Sequence, residues 1–169
     1  MRALQYDAYG PVERLTLRDA PLPRPAAGPL VRVTIAALNP KDALFRKGKF
    51  KVLSGRRFPK NCGVDFAGVI VAPYGDLRAG DMVFGALSES RYARGTLAEL
   101  VAPRAAEVAR IPAGVAEVDA AAVAPRCSST PPRAASAPSR CRSHGSWARG
   151  SPPSRALRRR ASAASTLLL

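Results

Sequence analysis

The chain has 169 residues and a formal net charge of +15, from 27 Lys and Arg against 12 Asp and Glu. That length suits one domain with its own core and excludes two of ordinary size. The charge is uneven: all 12 acidic residues lie between Asp7 and Asp119, whereas nine arginines crowd between Arg126 and Arg160, so the excess belongs mostly to the C-terminal third.

In chain order, six segments are predicted strands: Met1 to Tyr6, Leu15 to Arg18, Leu30 to Ala37, Val64 to Ala72, Met82 to Ala86 and Leu97 to Ala102. Each carries β-branched or aromatic residues, or alternates apolar with polar side chains, and each is bounded by Gly, Pro, Asp or Asn. Pro21-Leu22-Pro23-Arg24-Pro25 is an extended connection, because each ring fixes φ and removes a donor. Pro40 to Lys47 forms a short helix, since Asn39 is a good N-cap and Pro is tolerated at the first helical position. A second helix starts at Glu117 and runs to Val123. Lys49 to Arg57 is basic enough to attract a phosphate, though a solvated loop is the expectation.

Beyond Ala124 the composition changes abruptly. Arg, Ser, Pro and Ala make up 33 of the last 45 positions, with no Lys, Asp, Glu, Ile, Val, Phe or Tyr. Such a segment cannot bury a core, so residues 125–169 are expected to be a disordered tail. Arginine without lysine, among Ser, Pro and Ala, is also what a GC-rich gene yields out of frame, and a frameshift near Pro125 is the favoured origin over a genuine arginine-rich tail. Cys62, Cys127 and Cys141 show no disulfide framework, no apolar leader follows Met1, and no apolar run reaches the roughly 20 residues of a spanning helix. A cytoplasmic location without a membrane partner is expected.

Four motifs follow one another in the first 124 residues. The opening Met1-Arg2-Ala3-Leu4-Gln5-Tyr6 with Tyr9-Gly10-Pro11 leads to Leu30 to Leu38 and then Asn39-Pro40-Lys41-Asp42. Gly63-Val64-Asp65-Phe66-Ala67-Gly68 comes next, and Gly80-Asp81-Met82-Val83 precedes Gly95-Thr96-Leu97-Ala98-Glu99. In this order they resemble the first part of zinc-independent quinone oxidoreductases of the medium-chain dehydrogenase/reductase superfamily. The resemblance covers residues 1–124 and implies a mainly β, GroES-like curled barrel with short helices.

The same resemblance implies an NADP- or NAD-dependent parent enzyme that passes hydride to a quinone or enone. Zinc-containing relatives carry Cys where Asn39 stands and Gly-His-Glu where Gly63-Val64-Asp65 stands, so no metal site is expected. Asn39 is the first choice for a residue facing the nicotinamide and steadying the substrate carbonyl, with N-capping as a compatible second role. Asp42 is the other catalytic candidate, though pinning the turn is the simpler role. Asp65 is a cofactor-side candidate, an ion pair with Lys41 or an arginine being the simpler account. Cys62 reads as a small buried apolar residue.

Closely spaced glycines between a strand and a helix, which seat a dinucleotide pyrophosphate, do not occur. This chain is therefore expected to bind no cofactor itself and to be inactive alone, with homo-oligomerisation left open. Two other readings remain: a nucleic-acid-binding protein using the arginine tail, and a stand-alone GroES-like interaction module. Trp147 is the tail's one aromatic residue, which speaks against stacking on bases.

Overall fold

The computed structural model describes residues 1–128 apart from 26 and 90, together with 166–168. The strands are β1 (Arg2–Tyr6), β2 (Thr16–Asp19), β3 (Val31–Ala37), β4 (Lys60–Asn61), β5 (Asp65–Ile70), β6 (Met82–Ala86), β7 (Leu100–Val101), β8 (Val108–Arg110) and β9 (Thr166–Leu168). The helices are α1 (Pro40–Arg46), α2 (Lys51–Ser54) and α3 (Glu117–Ser128). No described helix is long and apolar enough to cross a membrane.

Pairing is antiparallel throughout. One sheet has the order β2-β1-β4, and the other β7-β3-β5-β6-β8 with β9 added to β3. They meet at an Ala3–Ala98 bridge, where Leu4 N–H donates to Leu97 O at 2.8 Å. The GroES-like β domain implied by the motifs is present, but the expected barrel is not closed: the sheets share that bridge and otherwise stay separate. The short partners β4 and β7, two residues each, give too few ladder bonds to close the circuit.

A bulge between Val33 and Ile35 decides which side chains face which core. An extra residue in one strand reverses the alternation beyond it. Val31 and Val33 therefore join the main core with Phe66, Ile70 and Val83, while Ile35 lies with Ala67 and Phe84 in a second core. There Ala120 and Ala121 of α3 cover them, so α3 occupies one face of the sheet. Phe45 of α1 packs into the main core on the other face. Gly68 lets β5 lie against β3, because a Cβ there would stand 2.1 Å from Arg32 O.

Two expectations about the C-terminal part change. The composition break at Ala124 does not end α3, which continues through Pro125 to Ser128 even though the proline gives up its own N–H and crowds the carbonyl four residues back. The tail is also not wholly without pairing: β9 adds Thr166–Leu168 to β3, opposite Ala37, Ala36 and Ile35. β7 reaches only Val31 and Arg32, which leaves that stretch of the β3 edge open to an apolar strand. Residues 129–165 of the expected tail lie outside the described residues.

Candidate functional site

β3 and β5 pair so that Ala37 lies opposite Asp65, and the chain leaving β3 turns over the start of β5. Asn39 sits in this turn as the N-cap of α1, extended at φ −107 and ψ 153, with Pro40 following in the first helical turn. Asn39 and Asp42 form a capping box, in which Asp42 Oδ2 accepts the Asn39 N–H at 2.7 Å. The Asn39 side-chain amide reaches across the turn and donates to Asp65 Oδ2. The three candidates from the sequence thus form one cluster, bridged by Asn39.

Burial sets the electrostatics. Asp65 is 1% exposed and its Oδ1 has no hydrogen-bond partner. Desolvation raises its carboxyl to about 6, against the Asn39 amide and Lys41, which lower it, and with Asp42, which adds to the rise. Asp65 makes no ion pair among the described residues, in contrast to the expected link with Lys41 or an arginine; its partner is a neutral amide. Asp42 is also held above the usual carboxylate range by burial, although the Tyr92 hydroxyl and the Asn39 N–H oppose the shift. Both Asp42 oxygens are engaged, one by Asn39 N–H and the other by Tyr92.

Tyr92 escaped the sequence reading. Its buried hydroxyl donates to Asp42 Oδ1 at 2.6 Å, and its ring lies 4.7 Å from that of Phe45. Its backbone adopts φ 55, a left-handed conformation that a bulky residue holds only when its surroundings insist. Asn61 N–H donates to Tyr92 O at 2.9 Å, and the buried Lys60 Nζ donates to the preceding carbonyl, Arg91 O, at 3.0 Å. Burial and the Asp42 contact push the Tyr92 phenol far up, so it stays a neutral donor. No local pattern announces such a residue; a backbone strained around a long-range contact is the signal.

Cys62 behaves as a buried apolar residue. Its thiol is pushed up to about 12 by burial and by nearby Asp42, which removes the thiolate a nucleophile or metal ligand needs. Among the described residues no three His, Cys, Asp or Glu side chains come together as a metal cluster. At the two positions where zinc-containing relatives would have ligands stand the Asn39 amide and Val64, which is packed in the main core.

The arrangement leaves one useful group free. An asparagine amide has two N–H donors, and Asp65 takes only one of those of half-buried Asn39. The other can donate to a carbonyl oxygen. Asp65 fixes the side-chain amide and Asp42 fixes the backbone that carries it, and a fixed donor is the kind that is effective toward developing charge. Toward a nicotinamide cofactor the fit is partial: half-buried Asn39 offers a donor for its carboxamide side, Asp65 Oδ1 is closed off by burial, and the described residues contain no glycine-rich strand-to-helix turn for a pyrophosphate.

Residues 27–113 match the alcohol dehydrogenase GroES-like domain. The chain is 40% identical over 135 residues to the trans-enoyl reductase pgmF of Aspergillus terreus, covering 68% of this chain and 36% of that protein. It is 39% identical over 94 residues to the chloroplastic NADPH-dependent alkenal/one oxidoreductase of Arabidopsis thaliana, covering 53% of this chain and 24% of the other. The fold superposes on the quinone oxidoreductase of Coxiella burnetii with a TM-score of 0.65 and 26% identity, over 72% of this chain and 40% of that one. The chain therefore spans well under half the length of these relatives.

Proposed function

Because the chain belongs to the alcohol dehydrogenase GroES-like domain family, we propose that it is the substrate-side part of an NAD(P)H-dependent, zinc-independent oxidoreductase that reduces quinones or enones. The observation carrying this reading is the half-buried Asn39 amide, fixed by Asp65 and by the Asp42 cap, with one donor left over. Relatives named as a quinone oxidoreductase, an alkenal/one oxidoreductase and a trans-enoyl reductase support the substrate class. The lack of a clustered donor set among the described residues supports chemistry without zinc.

A reduced nicotinamide, when bound, supplies the hydride. The remaining work falls to this chain. Asn39 donates to the substrate oxygen on which negative charge grows, Asp65 keeps the side-chain amide from rotating away, and Asp42 holds the Asn39 backbone at the cap. Asp42, with both oxygens occupied, is a positioning residue, and buried Asp65 positions the Asn39 amide at the cofactor side. On this reading residues 1–124 are the substrate-side domain, which needs a cofactor domain beside it for activity. The two rival readings, nucleic-acid binding and a stand-alone module, find no support in the relatives.

The test is a quinone-dependent NADPH oxidation assay on a chain whose reading frame after codon 124 is restored, beside its Asn39→Ala variant. Turnover that falls about a hundredfold in the variant, the usual loss for one oxyanion donor, bears the reading out. Equal turnover in both would remove Asn39 from the mechanism.

A further inference from the structure

The segment from Lys41 to Arg57 combines two features that the site does not use. Lys41, Lys47, Lys49, Lys51, Arg56 and Arg57 are all exposed, and the two carboxylates between Lys41 and Gly75, Asp42 and Asp65, are both buried. Among these cations Phe50, Val52 and Leu53 leave 41%, 94% and 59% of their surfaces in water. The face is held in shape. Phe50 leans on Phe45 with ring centroids 4.8 Å apart, and Gly48 turns the chain at φ 79 against the Tyr9 ring. The adjoining segment, joined through Gly10 N–H to Arg46 O at 2.9 Å, carries Asp7 and Glu13; Asp7 is already paired with Arg18 at 2.8 Å.

We propose that this face docks the domain on an anionic phospholipid bilayer, with Val52 and Leu53 entering the boundary between headgroups and acyl chains and the cations lying over lipid phosphates. Apolar tips ringed by lysine and arginine are the composition of interfacial anchors. Two other occupants fit less well. Protein interfaces are depleted in lysine, whereas four of the six cations here are lysines. Nucleic acid would engage the cations but give Val52 and Leu53 nothing to bury.

A membrane partner goes against the expectation from the sequence, which rested on the lack of a spanning segment; peripheral docking needs none. The surface stands on its own residues, but its use rests on the proposed function: docking would bring the domain that carries Asn39 to a bilayer in which an apolar quinone or enone is concentrated.

The tail arginines would attract the same vesicles, so the readout must sit on the face itself. Val52→Trp in a Trp147→Phe background places the chain's one indole at the most exposed large apolar position among the described residues. With vesicles of equal parts phosphatidylglycerol and phosphatidylcholine, the emission should shift to the blue and be quenched by brominated acyl chains; phosphatidylcholine alone should do neither. Adding Leu53→Asp and Lys49→Glu, both exposed, should weaken vesicle affinity by about tenfold or more and abolish the quenching, with the circular dichroism unchanged. An indole that remains in water while the chain pellets with vesicles would overturn the proposal, and so would a blue shift with polyglutamate instead of lipid. Neither outcome depends on NADPH or quinone turnover, so this proposal can fail while the enzymatic reading stands, and the reverse.

Discussion

Asn39 and Asp65, 26 positions apart, are joined by an amide-to-carboxylate hydrogen bond that closes the turn after β3 over the first residue of β5. Removing the amide would leave both Asp65 oxygens buried without a donor. Asn39→Ala should therefore cost about 1–3 kcal/mol of stability, read from urea denaturation, because the whole desolvation cost of the carboxylate is then unmet. A variant as stable as the parent chain would show that Asp65 does not depend on this amide.

Asp65 should also mark the pH dependence of folding. Burial lifts its carboxyl from the ordinary 3.8 to about 6, so the folded chain holds this proton more tightly than the unfolded chain. The stabilising contribution is complete below about pH 4 and is lost as pH rises through about 6, a change on the order of 3 kcal/mol. Buried Asp42, raised as well, acts in the same direction. Denaturation midpoints between about pH 4 and pH 7 should fall more steeply for the parent chain than for Asp65→Asn. Parallel curves would contradict the assignment.

Tyr92→Phe removes one hydroxyl and nothing else. Asp42 then loses a donor at 2.6 Å, and its carboxyl should rise further, because that hydrogen bond now holds it down. A loss of about 1.5–3 kcal/mol is expected for a bond to a charged acceptor. Carbon-detected NMR titration of the aspartates follows the first effect and chemical denaturation the second. An unmoved Asp42 would mean that Tyr92 is only packed beside it.

Gly68→Ala tests the close approach of β5 to β3. The added methyl would stand 2.1 Å from Arg32 O, a backbone atom inside the sheet that cannot step aside cheaply. A loss of at least about 3 kcal/mol, or failure to fold, is expected. Thermal unfolding decides it, and a change in Tm of a degree or two would contradict this packing.

What could be read from the sequence follows from how local each signal is. β6 occupies Met82–Ala86 as expected, and β3 and β5 fall within a residue or two, because apolar runs between Gly, Pro and Asp carry their own boundaries. β4 and β8, of two and three residues, have no room for a period, and α2 lay hidden in a basic stretch read as loop. Asn39 and Asp42 were legible because a cap and its reciprocal carboxylate lie three residues apart. The Asn39–Asp65 bond was not, since it spans strands, and Tyr92 reaches Asp42 only through a left-handed residue 50 positions away. Gly63, like Gly68, sits where packing leaves no room: a Cβ on Gly63 would press on Thr96 Oγ1.

The central proposal is that residues 1–124 form the substrate side of a nicotinamide-dependent reductase and do not bind the cofactor by themselves. Calorimetric titration with NADPH tests it most directly, run on the 169-residue chain and on the chain with its frame restored after codon 124. The account predicts no measurable heat of binding for the first and saturable binding for the second, with quinone reduction returning alongside. Micromolar binding by the 169-residue chain, or none by the restored one, would contradict it.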